Sequence, residues 1–346
     1  MPARVTLGFM HAWILNDTKG LTSFTLGRVV TPEPGPGQVR VKLVMSALNR
    51  LDLWMSMGLP APRQFPHVAG GDGAGTVDAL GEGVAGFDVG DEVIVNPGLG
   101  YAPTTNHIPF SGKLGVLGEH VWGTLAEYVV VPVSNVVPKA PHLDWEQAAA
   151  YALAYGTAYR MLLRARLQPG DVLLVVGVGG GVSSAGLLIG RLMGAEVYVT
   201  SRSPAKIARA IELGAVGGFS STDAFSKELK AARRPADVVF ENVGPATWNQ
   251  SMRSLRPGGR VVTCGSTSGA KVEISVPPLF FRHLEIIGST MFDHEDFAQV
   301  SRWVADGDLP VLVDRVYDFE DLPAALSRMK VGDHHGKIVI RRRGSE

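Results

Sequence analysis

The chain reads as an α/β protein of two domains, a doubly wound parallel sheet and a β-rich unit shaped as a partly open barrel. Three observations lead there. An apolar run, Val172-Leu-Leu-Val-Val, breaks into Gly177-Val-Gly179-Gly180-Gly181 and opens a second apolar stretch. Strand and helix patterns then alternate as far as Phe292, with short glycine-containing connections. Residues 10–154 instead carry short β-rich runs punctuated by proline and glycine, and a length of 346 residues accommodates both domains.

In the β-rich part, residues 38–45, 75–80, 91–95 and 126–131 are predicted strands. Pro32-Glu-Pro-Gly-Pro-Gly37 and Gly81-Glu-Gly-Val-Ala-Gly86 are turns between them. In the α/β part, residues 172–176 form a buried strand, and residues 182–193 a mostly apolar helix stopped by Gly194. Residues 196–200 are the next strand, and Ser203-Pro204 supplies an N-cap and a first-turn proline for a helix running to Gly214. Strands beginning at Asp237, Arg260 and Leu284 alternate with helices at 248–255 and 296–304. The count is about six strands, the complement of a full dinucleotide-binding domain. Gly336-Lys-Ile-Val-Ile340 is a last strand that rejoins the β-rich domain.

The glycine turn carries the chemistry. A buried strand, a tight turn and a helix N-terminus make a pyrophosphate cradle, because backbone N–H groups and the helix dipole converge on negative charge. The strict G-x-G-x-x-G pattern fails here: counted from Gly177 it ends on Val182, and counted from Gly179 on Ser184. The surrounding elements restore the reading, with Gly177, Gly179, Gly180, Gly181 and Val182 as cofactor-binding positions. An enzyme that prefers NAD places Asp or Glu at the end of the second strand. Here Thr200-Ser201-Arg202-Ser203 and Lys206 stand there, while Glu196 lies at the other end. Hydroxyls and cations suit a 2′-phosphate, so NADPH is expected over NADH. Asn242, Val243, Gly265 and Ser266 end the strands bordering the topological switch point and should line the nicotinamide pocket.

Bulk properties exclude other classes. Net charge is zero, so there is no electrostatic footprint for nucleic acid or an anionic membrane, and the partner expected is a small-molecule substrate. The single cysteine, Cys264, excludes internal disulfides and cysteine clusters, and reads as a small buried hydrophobe. No apolar stretch is long enough to span a membrane and residues 1–10 hold no signal-peptide core, so the cytoplasm is the expected location. Arg341-Arg342-Arg343 reads as a solvated tail, and His334-His335 as a surface turn.

The ordered motifs Pro34-Gly-Pro-Gly-Gln-Val, Asn49-Arg-Leu-Asp52, Pro66-His-Val-Ala-Gly-Gly-Asp-Gly-Ala-Gly75, Val89-Gly-Asp-Glu-Val, Gly123-Thr-Leu-Ala-Glu-Tyr128, Leu255-Arg-Pro-Gly-Gly259 and Gly336-Lys337-Ile resemble the medium-chain dehydrogenase/reductase superfamily. The resemblance implies a GroES-like catalytic domain from residues 1–154 and 293–346, with a Rossmann domain of residues 155–292 inserted. It places Asn49 near the nicotinamide ribose, Thr157 on the nicotinamide-side phosphate, and Lys206 and Lys337 on phosphates. It puts Ser183 at the fingerprint's last glycine, and it implies a homodimer or homotetramer paired through the last Rossmann strand.

Zinc-dependent members of that superfamily use three ligands, whose positions here are Asn49, Gly71 and Leu153. Glycine and leucine have no donor, so no zinc is expected and the zinc-free quinone oxidoreductase-like branch is the nearer match. A relocated metal site at His67, Asp72, Glu119 and His120 is the sharper alternative, against a hydrogen-bonded loop. Without a Lewis acid, hydride must pass from nicotinamide C4 to a quinone or conjugated enone. Arg50, Tyr155 and His67 are candidate proton or hydrogen-bond donors. Asp52 is an orienting group, and an Arg50–Asp52 ion pair is the plainer alternative for both. Loops at 54–59 and 101–110 are expected to line the substrate cleft. Two rivals stand beside this reading: a zinc alcohol dehydrogenase with atypical ligands, and an NADP-binding protein without turnover.

Overall fold

The computed structural model describes residues 8–100 and 115–342. The segment 101–110, read as a cleft loop, lies outside them, as does Arg343. The chain divides into two compact units: one takes the described residues up to Leu153 and from Val311 onward, the other runs from Ala154 to Pro310.

The second unit is a parallel sheet of six strands in the spatial order Gly217–Ser220, Glu196–Ser201, Val172–Val175, Ala236–Glu241, Leu255–Thr263, Glu285–Gly288. In chain sequence that order is 3-2-1-4-5-6, the arrangement of a dinucleotide-binding sheet. Its central strand Val172–Val175 is buried at every position, as a sheet covered on both faces requires. The helix Gly181–Leu192 ends before Gly194, whose φ of 86° favours glycine, and Ser203 caps the helix Pro204–Glu212 from its side chain.

The edge strand Gly217–Ser220 carries no β-branched residue, so its pattern is silent in the sequence. Its glycine is a packing requirement: a Cβ on Gly218 would lie 2.4 Å from Ile207 Cγ2 on the covering helix. The helix Ala152–Arg164 also went unread in the sequence; a Cβ at its Gly156 would meet the Phe292 ring at 2.4 Å.

The division between units falls at 310 rather than 292. The helix His294–Ala305, assigned to the flanking domain from sequence, packs within the second unit, because Arg160 forms ion pairs with both Asp293 and Asp296. Tyr159 meets Trp303 edge-on at 5.0 Å, and Phe292 stacks near Phe297 at 6.0 Å.

In the first unit the strand Gln38–Ala47 is the hub, pairing antiparallel with Asp72–Leu80, Tyr128–Pro132 and the final strand Lys337–Arg341. A further sheet pairs Phe9–Leu15 with Phe24–Val30 and His67–Val68. The cores below them are built from Val39, Val41, Leu43, Val77, Val93 and Val129, and from Leu48, Met55, Phe319, Leu326 and Ile338. Arg342 corrects the reading of a solvated tail. It is 6% exposed, lies 3.5 Å over the Phe319 ring and donates to the His11 carbonyl. Its guanidinium is an amphipathic plane that an aromatic face can cover. His334 is likewise buried, not a surface residue. Among the described residues no helix is long and apolar enough to cross a membrane.

Candidate functional site

In the second unit the strand Val172–Val175 delivers the glycine turn at the sheet's carboxyl edge. Gly177 and Gly179 have φ of 73° and 129°, a region that favours glycine, and a Cβ on Gly177 would press Val243 Cγ2 at 2.6 Å. Gly177 donates to Thr200 Oγ1 and Val178 to the Thr200 carbonyl, tying the turn to the next strand. Gly180 caps the helix that starts at Gly181, so the amides of Gly181, Val182 and Ser183 begin it without intrahelical acceptors. Ser183, at the fingerprint's last glycine, is buried and receives a hydrogen bond from the Asn242 amide at 3.1 Å. The replacement therefore adds a tether between helix start and neighbouring strand end. Nothing in the sequence pairs residues 59 positions apart, so that tether was not foreseen.

The second strand ends on Ser201, which is buried, and is followed by Arg202, which is exposed. Lys206 reaches back over the turn: its Nζ lies 3.0 Å from where a Cβ of Gly179 would be. Asn242, Val243, Gly265 and Ser266 follow two strands that pair as far as Glu241 and Thr263, so they emerge side by side at the same edge. Buried Glu241 shapes that exit by accepting from the Val243 and Gly244 amides at 2.7 and 3.1 Å. Thr157 Oγ1 is buried with no partner in the described residues. An orphaned hydroxyl and a cradle that a Cβ would fill both fit a bound pyrophosphate.

The first unit assembles a buried polar cluster from distant segments. Asn49 caps the helix Arg50–Met55; its Nδ2 donates to Asp72 Oδ2 at 3.0 Å, and its Oδ1 accepts from Lys337 Nζ at 2.6 Å. Lys337 also reaches Asp72 Oδ2 at 2.8 Å, and the Leu153 amide donates to Asp72 Oδ1 at 2.7 Å. Asp72, weighed from sequence only as a metal ligand, is the hub. Lys337, expected on a cofactor phosphate, holds Asn49 and Asp72 instead.

Asp52 accepts from the Asn49 and Gly70 amides at 2.7 and 3.0 Å, which makes it an orienting group. Burial pushes its carboxyl up to about 6, against the pull of those amides and of Lys337. No ion pair joins it to Arg50 among the described residues; Arg50 is half-buried, and desolvation lowers its guanidinium. Tyr155, read as a donor, is 1% exposed and gives its hydroxyl proton to the Pro310 carbonyl at 3.1 Å, a structural bond. Burial pushes the Cys264 thiol up to about 12, consistent with an inert side chain.

The residues at the zinc-ligand positions lie together. A Cβ on Gly71 would lie 2.9 Å from Leu153 Cδ1, so the leucine side chain occupies the direction a ligand would take from residue 71. Asn49 spends both amide atoms on Asp72 and Lys337. That donor set does not suit zinc. His67, Glu119 and His120 form a hydrogen-bonded loop: His67 Nε2 donates to the Gly118 carbonyl at 2.9 Å and the Val116 amide donates to His120 Nδ1 at 3.1 Å.

Residues 35–141 match the family model of the alcohol dehydrogenase GroES-like domain, and residues 181–306 that of the zinc-binding dehydrogenase. Crotonyl-CoA reductase of Streptomyces avermitilis is 30% identical, over 92% of this chain and 82% of its own. A solved NAD-dependent alcohol dehydrogenase superposes with a TM-score of 0.91 at 35% identity, over 96% of this chain and 99% of its own. The 2-octenoyl-CoA carboxylase reductase CinF, solved with NADP and 2-octenoyl-CoA, superposes with a TM-score of 0.89 at 28% identity, over 98% of this chain and 88% of its own.

Proposed function

Because the chain belongs to the medium-chain dehydrogenase/reductase superfamily and is an NAD(P)-dependent oxidoreductase, we propose that it is an NADPH-dependent, zinc-free reductase of conjugated enones. Enoyl thioesters are the substrate class, which the crotonyl-CoA reductase and CinF likenesses support over quinones. The observation that carries the reading is the filled zinc position: Leu153 against Gly71, and an Asn49 amide already paired on both sides.

NADPH bound at the glycine turn supplies the hydride. The amides of Gly181 and Val182, with the Thr157 hydroxyl, hold its pyrophosphate, and Arg202 and Lys206 take the 2′-phosphate. An enone spreads the incoming negative charge to its carbonyl oxygen, so a fixed hydrogen-bond donor suffices where an isolated ketone would call on a metal. Arg50, half-buried and without an ion pair to Asp52 among the described residues, is the candidate for that donation.

Crotonyl-CoA, a quinone and a simple aldehyde, each assayed for NADPH oxidation before and after chelation, test the reading. The thioester should turn over and ignore the chelator. A stoichiometric zinc whose removal abolishes activity would sink the zinc-free reading, and a preference for the quinone would overturn the substrate class. Replacing Arg202 and Lys206 by Ala should weaken NADPH binding about 10- to 100-fold, the worth of one or two charge-assisted hydrogen bonds, and leave NADH binding unchanged. Equal losses for both cofactors would remove these residues from the 2′-phosphate.

The edge strand Glu285–Gly288 and the preceding helix Val276–Phe281 support a dimer as well. Phe281 is 76% exposed and Val276 58%, an apolar face beside an open sheet edge that a second copy would cover. Sedimentation should give a dimer for the wild type and a monomer for Phe281→Glu; a wild-type monomer would refute the pairing.

A further inference from the structure

The first unit contains a cavity of about 270 Å³ lined by Arg63, Gln64, His67, His120, Val121 and Trp122, which the reduction does not use. Its polar groups have fixed senses. His67 is 2% exposed and donates Nε2–H to the Gly118 carbonyl, so its Nδ1 presents a lone pair, with no partner among the described residues. Burial holds that imidazole below its ordinary value and therefore neutral. His120 receives the Val116 amide on Nδ1, which puts its proton on Nε2. A nitrogen that carries its proton is not a metal ligand, so the two histidines do not make a metal pair. Glu119 lies at the Nδ1 edge of His120, 3.8 Å away.

The lining is graded in exposure: His67 is buried, His120 and Trp122 are half-buried, and Val121, Gln64 and the cation Arg63 are exposed. A matching ligand has a neutral planar head with adjacent donor and acceptor, and an anionic tail. We propose that this cavity is a nucleotide site: a purine base turns its amide-like edge to His67 and His120 against Trp122, and its phosphate meets Arg63. The same chemistry occurs in a free nucleotide and in the nucleotide end of coenzyme A. Binding at this cavity is independent of the proposed reduction.

Calorimetry of the NADPH-saturated protein with AMP, GMP, coenzyme A and ribose 5-phosphate tests it, the saturation keeping the glycine turn occupied. One further equivalent of AMP or GMP should bind, at least tenfold tighter than ribose 5-phosphate. Arg63→Ala should weaken it at least tenfold, and Val121→Trp, which fills the cavity from a 45% exposed position, should abolish it, with NADPH affinity unchanged in both. Coenzyme A binding as tightly as AMP and lost in the same variants supports the proposal with the coenzyme as source; AMP binding without coenzyme A supports it with a free nucleotide. No second equivalent of any nucleotide, binding that survives both variants, or ribose 5-phosphate equal to AMP would overturn it.

Discussion

Arg160→Met should cost the protein about 3–5 kcal/mol of stability, the usual loss when one partner of a buried ion pair is removed. Arg160 is fully buried, and its guanidinium bridges Asp293 and Asp296, which also cap the helix His294–Ala305 through each other's amides. Methionine keeps much of the volume and removes the charge, leaving two carboxyls face to face away from water. The loss should be pH-dependent with a definite sign. Burial already raises Asp296 from 3.8 to about 6, with Arg160 pulling it down, so the folded variant holds a proton that the unfolded chain releases. The folded state then binds more protons than the unfolded one, and stability falls as pH rises. The variant should therefore recover part of its loss as pH drops from about 7 towards 4. Urea unfolding across that range measures it; a deficit that is constant with pH, or under about 1 kcal/mol, would mean the carboxyls are not dependent on Arg160.

The Arg160 cluster also marks where sequence reading stops. The glycine turn, the strand around Val172 and the Ser203-Pro204 helix start were legible because each is a local device: a run of apolar residues, a φ that favours glycine, a cap. The strand Gly217–Ser220 was not, because its Gly218 answers to Ile207 on a covering helix rather than to strand propensity. The end of the second unit was misplaced for the same reason, since a fully buried arginine at 160 looks like any helix arginine until residues 293 and 296 arrive opposite it. Arg342 repeats the lesson: three consecutive arginines signal solvent, yet the Phe319 ring that covers one of them comes from elsewhere in the chain. In the site, the residue types at 49, 71 and 153 were informative by what they lack. Their replacement by a lysine–aspartate–asparagine cluster was not, because pairs 265 and 288 positions apart leave no pattern in one sequence.

That cluster sets the second large expectation, Lys337→Met. Lys337 is 3% exposed and Asp72 0%, so removing the ammonium strands a carboxylate whose remaining donors are the Asn49 amide and the Leu153 N–H. The expected loss is again about 3–5 kcal/mol. Adding Asp72→Asn removes the stranded charge, and the double variant should regain most of the stability, because exchanging a buried pair for neutral groups is close to neutral. Activity should follow a different course. Asn49 Oδ1 loses the Lys337 donor in both variants, so its amide is held less firmly than in the wild type. If the fixed amide is what aligns the nicotinamide end of the cofactor, kcat should fall at least tenfold in Lys337→Met and stay low in the double variant, with the KM for NADPH moving less. Recovery of kcat together with stability would assign the cluster to folding alone. A single variant as stable as the wild type would show that Asp72 finds compensation without the ammonium.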